Sequence, residues 1–87
     1  MFLKFIIPCW GVKNEIGRML DSILCQTFTD YHIVCVDDCS SDGTWDVLKR
    51  YADTFGDKIT LIRNKTNIGA GASRNIGYFN TLETINS

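Results

Sequence analysis

The feature that most constrains this chain is an alternation between two hydrophobic periods, repeated three times within 87 residues. The runs Phe2–Ile7, Tyr31–Val36 and Lys58–Arg63 are short, apolar and rich in β-branched or aromatic residues, which is typical of buried strands. A segment with the three-to-four-residue spacing of a helix, or with small residues that suit one, follows each run. Strand–helix alternation predicts an α/β fold with a parallel, Rossmann-like sheet in the order βαβαβα.

Ordinary start signals mark the three predicted helices. The first follows Asn14, a suitable N-cap. Its apolar stripe consists of Ile16, Met19, Leu20, Ile23 and Leu24. The second helix covers Trp45–Phe55, with Ser41 or Asp42 as its cap, and the third begins at Ala70.

The first predicted strand is apolar along its length, as expected of a central strand that is buried on both faces. A chain of 87 residues offers it only two partner strands, and an uncovered apolar edge invites pairing with another chain. We therefore expect residues 1–87 to form one partial domain. Its sheet would be completed by more chain or by self-association through the exposed edge.

Composition argues against several classes of protein. The chain has nine basic and ten acidic residues, so it lacks the excess of positive charge with which proteins bind nucleic acid or anionic lipid. The apolar start is interrupted by Lys4 and ended by Pro8, so it is too short for a membrane span and we expect a cytoplasmic chain. A metal site built from His32, Cys35 and Cys39 is disfavoured, because residues 32 and 35 of a strand point to opposite faces.

Ligands of open parallel sheets bind beyond the carboxyl ends of the strands, where this chain has its most polar loops. Trp10 follows Pro8 in the first loop, and its indole either stacks on a base or covers the end of the sheet. Asp37 and Asp38 begin the second loop. As hydrogen-bond acceptors they suit a pyrimidine N–H, ribose hydroxyls or a cation, and they would repel a phosphate.

The third loop runs through Asn67 and Gly69 into a helix that starts with small residues. Helix N-termini favour anions, and Arg74 would offer paired donors to a diphosphate. The alternative is close helix–sheet packing that leaves Arg74 in solvent. A dehydrogenase is disfavoured because the glycines follow the third strand, and a receiver-type signalling domain because the acidic pair follows the second.

Taken together, the loops resemble family-two glycosyltransferases with the GT-A fold, and this chain resembles their N-terminal, nucleotide-binding half. The most specific stretches are DSILCQTF, VDDCSSDGT and NIGAGASRN, and the likeness covers residues 4 to 77. The resemblance implies binding of a nucleoside-diphosphate sugar, most often a UDP-sugar, and transfer to a hydroxyl of a sugar or lipid-linked acceptor in polysaccharide biosynthesis. By that resemblance, Pro8 and Trp10 border the base, and Asp38 contacts the uracil ring with Asp37 beside it. Asn67 and Gly69 shape the loop that leads to the diphosphate, and Arg74 lies near the diphosphate.

Two positions depart from the family pattern, since Gly11 replaces an Asn and Lys13 replaces a common acid. The resemblance further implies a divalent cation, Mg²⁺ or Mn²⁺, held by an Asp-x-Asp motif in the complete enzyme. We expect that motif and the catalytic base to follow Ser87, so that residues 1–87 alone transfer no sugar. The complete enzyme is expected to lie peripheral to the inner membrane face. A non-catalytic nucleotide-binding or assembly module on the same half-fold is the alternative.

Overall fold

The computed structural model describes residues 3–26 and 30–86. Its elements are β1 (Leu3–Cys9), α1 (Ile16–Leu24), β2 (Tyr31–Asp37), α2 (Thr44–Thr54), β3 (Ile59–Arg63) and α3 (Ala70–Asn86). The predicted βαβαβα order is confirmed, with element ends displaced by up to two residues. Phe2, which begins the first predicted strand, lies outside the described residues.

The described strands form a parallel sheet in the order β1-β2-β3. Leu3 lies opposite Tyr31 at one end of β1, and Cys9 lies opposite Asp37 at the other. Within the described residues β1 is therefore an edge strand, and its unpaired apolar edge is the one that more chain or a second copy is expected to cover. Pro8, which lies inside β1, has no N–H to donate to a neighbouring strand.

Side chains alternate between the two faces of the sheet, and a different layer covers each face. Odd-numbered strand residues pack against α1 and α2. This core cluster contains Cys9, Ile16, Leu20, Tyr31, Ile33, Cys35, Val47, Leu48 and Ile59. Even-numbered residues face α3, whose buried Gly77 lies against Ile6, Val34 and Val36.

Backbone groups, and no side chain, close the start of α1. The N–H groups of Glu15 and Ile16 donate to the carbonyl of Val12 at 3.1 and 2.9 Å. The prediction that Asn14 caps this helix was wrong, since the N-cap position is Glu15 and makes no side-chain cap bond. In the predicted stripe Met19 is 47% exposed, because the buried face of α1 centres on Ile16 and Leu20.

The start of α2 ties two loops together. Gly43 occupies the N-cap position, so neither predicted cap does. Asp42 still accepts a hydrogen bond from the first helical N–H, that of Thr44, at 3.0 Å. The buried Thr44 hydroxyl in turn accepts from the N–H of Val12 at 3.1 Å. The loop after β1 is thus held against the loop after β2, which places both at the same end of the sheet.

Candidate functional site

A groove opens where the carboxyl ends of the strands meet the start of α3, and we call it the rim groove. It encloses about 550 Å³ and is lined by Trp10, Asp38, Asn67, Gly69 and Ala70. A recess of about 40 Å³ shares three of these residues and is lined by Pro8, Cys9, Trp10, Asp38 and Ala70. Four of the seven positions implied by the family resemblance therefore line the rim groove, and a fifth, Pro8, lines the adjoining recess.

Trp10 presents the largest exposed apolar surface of the groove. The residue is 63% exposed and directly follows β1. The backbone next to Trp10 is restrained by a hydrogen bond, because the N–H of the following residue, Gly11, donates to Ser40 Oγ at 3.0 Å. The indole is thus exposed on a restrained stretch of backbone.

The Asn67 side chain joins Trp10 to Asp38. Its amide orientation is assigned from its neighbours. With the oxygen toward the indole, it accepts from Trp10 Nε1 at 2.8 Å and its nitrogen donates to Asp38 Oδ2 at 3.3 Å. In the opposite orientation two donors would face each other, and the nitrogen would reach only the Asp38 carbonyl at 3.5 Å. The first orientation satisfies both neighbours.

Asp38 is almost fully buried, with 3% of its surface exposed, and it accepts hydrogen bonds from the loop before α3. Oδ1 accepts from the N–H of Ile68 at 2.8 Å and from Asn64 Nδ2 at 3.0 Å. Oδ2 accepts from the N–H of Gly69 at 2.8 Å and from Asn67. The carboxylate therefore fixes the loop that forms one wall of the groove.

These donors also set the ionisation of Asp38. Burial raises the pKa of Asp38, but hydrogen bonds from Ile68, Asn64, Gly69 and Ser73 outweigh it and hold the pKa below the usual value. The carboxylate is therefore ionised at neutral pH. Gly69 reaches it with φ +93°, a left-handed conformation that disfavours side chains, which explains the glycine at this position.

Asp37 points to the opposite face of the sheet and is absent from the groove lining. It is fully buried, and its Oδ2 lies 3.4 Å from Arg63 Nε without forming a hydrogen bond to any described residue. Arg63 also donates to the Ser40 carbonyl at 3.2 Å and lies 5.3 Å from the Trp45 ring centroid. The two adjacent acids thus act in separate places, because strand side chains alternate.

Arg74 is exposed on α3 and is not among the residues that line the groove. It lies four residues after Ala70, which does line the groove, so the two share one side of the helix. Sequence reasoning missed Asn64 and Ser73. Asn64 Nδ2 donates to Asp38 and also to the buried Ser73 hydroxyl at 3.0 Å. The only hint was a polar residue placed directly after β3.

Metal binding finds no support in the residues that the structure describes. Over residues 3–26 and 30–86, no cluster of three His, Cys, Asp or Glu side chains occurs. The carboxylates of Asp37 and Asp38 are occupied by Arg63 and by N–H donors, so they do not fit Mg²⁺ or Mn²⁺. His32 Nε2 lies 2.6 Å from Thr60 Oγ1.

Among the helices of residues 3–26 and 30–86, none has both the length and the apolar character of a membrane span.

A second cavity, of about 530 Å³, lies between the loop after β1 and α2. Its lining mixes basic and acidic side chains and includes no aromatic residue: Lys13, Gly43, Asp46, Lys49, Arg50 and Asp53. Three cations there could attract a phosphate without specificity, although two carboxylates oppose them. We therefore favour the rim groove, where an aromatic face and a restrained loop converge, as the functional site.

A family model described as Glycosyl transferase family 2 matches residues 4–82 of the chain. Among curated proteins, the chain is 36% identical over 73 residues to the putative glycosyltransferase EpsE of Bacillus subtilis (strain 168). That match covers 84% of this chain and 26% of EpsE. The chain is also 35% identical over 77 residues to a poly(ribitol-phosphate) beta-glucosyltransferase of Bacillus spizizenii, covering 86% and 12% of the two chains.

Solved structures also resemble this chain. The chain superposes on S. aureus TarS 1-349 in complex with UDP-GlcNAc with a TM-score of 0.83 and 28% identity, covering 92% of this chain and 23% of TarS 1-349. It superposes on the mannosyltransferase PcManGT of Pyrobaculum calidifontis, in complex with GDP-Man and Mn²⁺, with a TM-score of 0.82 and 27% identity. That match covers 90% and 24% of the two chains. The chain thus spans about a quarter or less of these proteins.

Proposed function

Because the chain belongs to glycosyl transferase family 2 and has the GT-A fold, we propose that its rim groove binds the nucleotide of an activated sugar. The sugar would pass to an acceptor hydroxyl in the whole protein. One observation carries the proposal, namely that three loops distant in sequence line a single concavity. Its lining includes an exposed indole, Trp10, and the first residue of a helix, Ala70.

In this proposal the nucleotide base stacks on Trp10. The indole is 63% exposed, and flat aromatic faces at a groove stack on bases with useful energy. We propose UDP as the nucleotide, since TarS 1-349 was solved with UDP-GlcNAc and with UDP. PcManGT was solved with GDP-Man, so guanosine is the competing base and belongs in every test.

The diphosphate is proposed to lie along the first turns of α3. Unpaired N–H groups at a helix start favour an anion. The ionised Asp38 carboxylate repels phosphate, so the diphosphate would lie away from it and toward Arg74. Arg74 shares one side of α3 with Ala70, and its guanidinium would supply paired donors.

The chain's own residues would bind and orient the donor sugar. The acceptor oxygen then bonds to the anomeric carbon, the bond from that carbon to the diphosphate breaks, and UDP leaves with the electron pair. The proton of the acceptor hydroxyl passes to a base that we assign to no described residue. PcManGT was solved with Mn²⁺, and we propose that the whole protein also uses a divalent cation, held by residues other than those described; no step is assigned to it here. A cytoplasmic location and self-association through the β1 edge stay predictions.

Calorimetric titration with UDP and with GDP tests this proposal on the parent chain and on three variants. Trp10→Ala should weaken UDP binding by about 5- to 150-fold, the equivalent of about 1–3 kcal/mol for a stacked base. Arg74→Ala should weaken it because the diphosphate loses its paired donors. Arg50→Ala, in α2 beside the second cavity, is the matched control and should change nothing. No binding by the parent, or equal affinity of all four proteins, would reject the proposal.

A further inference from the structure

A third cavity lies between the start of α1 and α2, and we call it the helix groove. It encloses about 440 Å³ and is lined by Lys13, Gly17, Val47, Arg50, Tyr51, Thr54 and Phe55. It shares no lining residue with the rim groove, and it adjoins the second cavity, with which it shares Lys13 and Arg50. The proposed function leaves this groove without a role.

Two aromatic rings form a fixed wall of the helix groove. The Tyr51 and Phe55 rings are stacked, with centroids 6.4 Å apart and planes inclined by 23°. The Tyr51 hydroxyl lies 2.7 Å from Asp21 Oδ1 and 3.1 Å from the carbonyl oxygen of Gly17, so a hydrogen bond to α1 holds the ring. Gly17 leaves room for that hydroxyl, because a Cβ there would lie only 3.3 Å from it. Since Phe55 is 38% exposed, part of its apolar surface is open before any ligand binds.

Two cations flank this aromatic wall. Lys13 and Arg50 are exposed, and neither forms an ion pair within the part of the chain that the structure describes. The aliphatic stem of Lys13 lies against Gly43, which restrains that side chain. Asp46 and Asp53 line the second cavity and not the helix groove, so the lining of the helix groove carries two positive charges and no negative one. Its electrostatic potential therefore favours an anion beside the aromatic wall.

From this arrangement we propose that the helix groove binds a small organic anion, in which a phosphate or a carboxylate is joined to a flat apolar ring. The ring would lie on Phe55, with the anionic group beside Lys13 and Arg50. A membrane surface fits this face less well, because the exposed charges of residues 13–24 and 44–55 balance, four basic against four acidic. The unopposed positive charge lies in the concavity, so the partner has to enter it. This site is independent of the proposed nucleotide site.

Phenyl phosphate tests the proposal on the whole chain, followed by ¹⁵N–¹H chemical-shift changes. The backbone amides of Gly17, Arg50 and Phe55 should shift and saturate, with a Kd of about 1–5 mM for a ligand of this size. Inorganic phosphate lacks the ring and benzyl alcohol lacks the charge, so each should bind at least about fivefold more weakly. UDP, which we place in the rim groove, should not displace phenyl phosphate.

Four variants at exposed positions separate the charge from the ring. Lys13→Gln and Arg50→Gln should each weaken phenyl phosphate binding about fivefold, because each removes one of the two flanking charges. Lys49→Gln is the matched control, because it removes the same charge from a residue that lines only the second cavity, and it should change nothing. Phe55→Ser should abolish the advantage of phenyl phosphate over inorganic phosphate. Circular dichroism checks that each variant keeps the parent's fold.

Each of the other outcomes would overturn the inference. One is an absence of saturable shifts at concentrations well above the expected Kd, and another is equal weakening by Lys49→Gln and Arg50→Gln. Shifts centred on Trp10 and Gly69, or displacement by UDP, would assign the anion to the rim groove. Sedimentation of the chain with vesicles of anionic lipid, lost in Arg50→Gln, would assign the positive charge to a membrane surface.

Discussion

Replacing Gly77 with alanine should destabilise the chain, although the same change usually stabilises a helix. A Cβ placed on Gly77 would lie 2.7 Å from Ile6 Cγ2, 3.1 Å from Val36 Cγ2 and 3.5 Å from Val34 Cγ1. Carbon atoms pack best at about 3.5–4.0 Å, so the first two contacts are too close. The three methyl groups belong to β-branched residues with stiff χ1 angles, and they cannot swing away cheaply.

Two opposing terms set the size of the Gly77→Ala effect. Alanine favours a helix interior over glycine by about 1 kcal/mol. Forcing a methyl group into a packed core costs about 1–3 kcal/mol. With one contact at 2.7 Å the upper half of that range applies, so we expect a net loss of about 1–2 kcal/mol. For a domain of this size, each kcal/mol lowers Tm by about 4–8 °C.

The control for this experiment lies in the same helix. Beyond its own helix backbone and chain neighbours, a Cβ on Gly71 would meet no heavy atom of the described residues within 4 Å, so Gly71→Ala should raise the free energy of unfolding by up to about 1 kcal/mol. Urea unfolding followed by circular dichroism at pH 7 measures both variants. If Gly77→Ala proves as stable as Gly71→Ala, the close packing of α3 on β1 and β2 described above is wrong.

Three further predictions concern the loops around the groove. Gly69→Ala should lose about 1–2 kcal/mol, because φ +93° strains any residue with a side chain; unfolding by urea checks this. Arg63→Ala should lose about 1–3 kcal/mol, because the fully buried Asp37 carboxylate loses its counter-charge, and Arg63→Lys should recover part of the loss in the same assay. The pKa of Asp38 is lowered in the folded state, so its stabilisation is complete above the usual value of 3.8 and is lost as the pH falls below it. The unfolding midpoint of Asp38→Asn should therefore change less between pH 7 and pH 3 than that of the parent, and equal slopes would contradict this.

The order of elements and the fold class were predictable because they depend on local periods. The spacing of apolar residues in a strand or a helix can be recognised within about ten residues. The predicted order of elements and the fold class were confirmed, as was the family resemblance. The start of α1 was not predictable in this way. Its closing bonds use the carbonyl of Val12, and its loop is held by Thr44, 32 positions away in the chain. Because backbone groups that every residue carries close this helix, in a loop that is held from elsewhere in the chain, no capping side chain marks its start.

The candidate site, like the fold, was predictable from the sequence only in part. That three loops share one end of the sheet follows from parallel pairing, and Trp10, Asp38 and Asn67 do meet there. The sequence pattern places both Asp37 and Asp38 in the loop and misses their separation, which arises because β2 continues through Asp37 and its side chains alternate. The sequence does not show that the Asp38 carboxylate already accepts hydrogen bonds from the chain's own N–H groups. The donors lie about 30 positions away from Asp38 in the chain. Only coordinates reveal which acceptors remain for a ligand.

The most direct test of the account is to map where UDP binds, by ¹⁵N–¹H chemical-shift changes during a UDP titration. We predict that the largest changes fall on the Trp10 indole N–H and on the backbone amides of Gly69 and Ala70, which line the rim groove. The competing location is the cavity beside α2, where Lys49 and Arg50 offer positive charge. Changes centred on those two residues, with the Trp10 signal unmoved, would contradict the account.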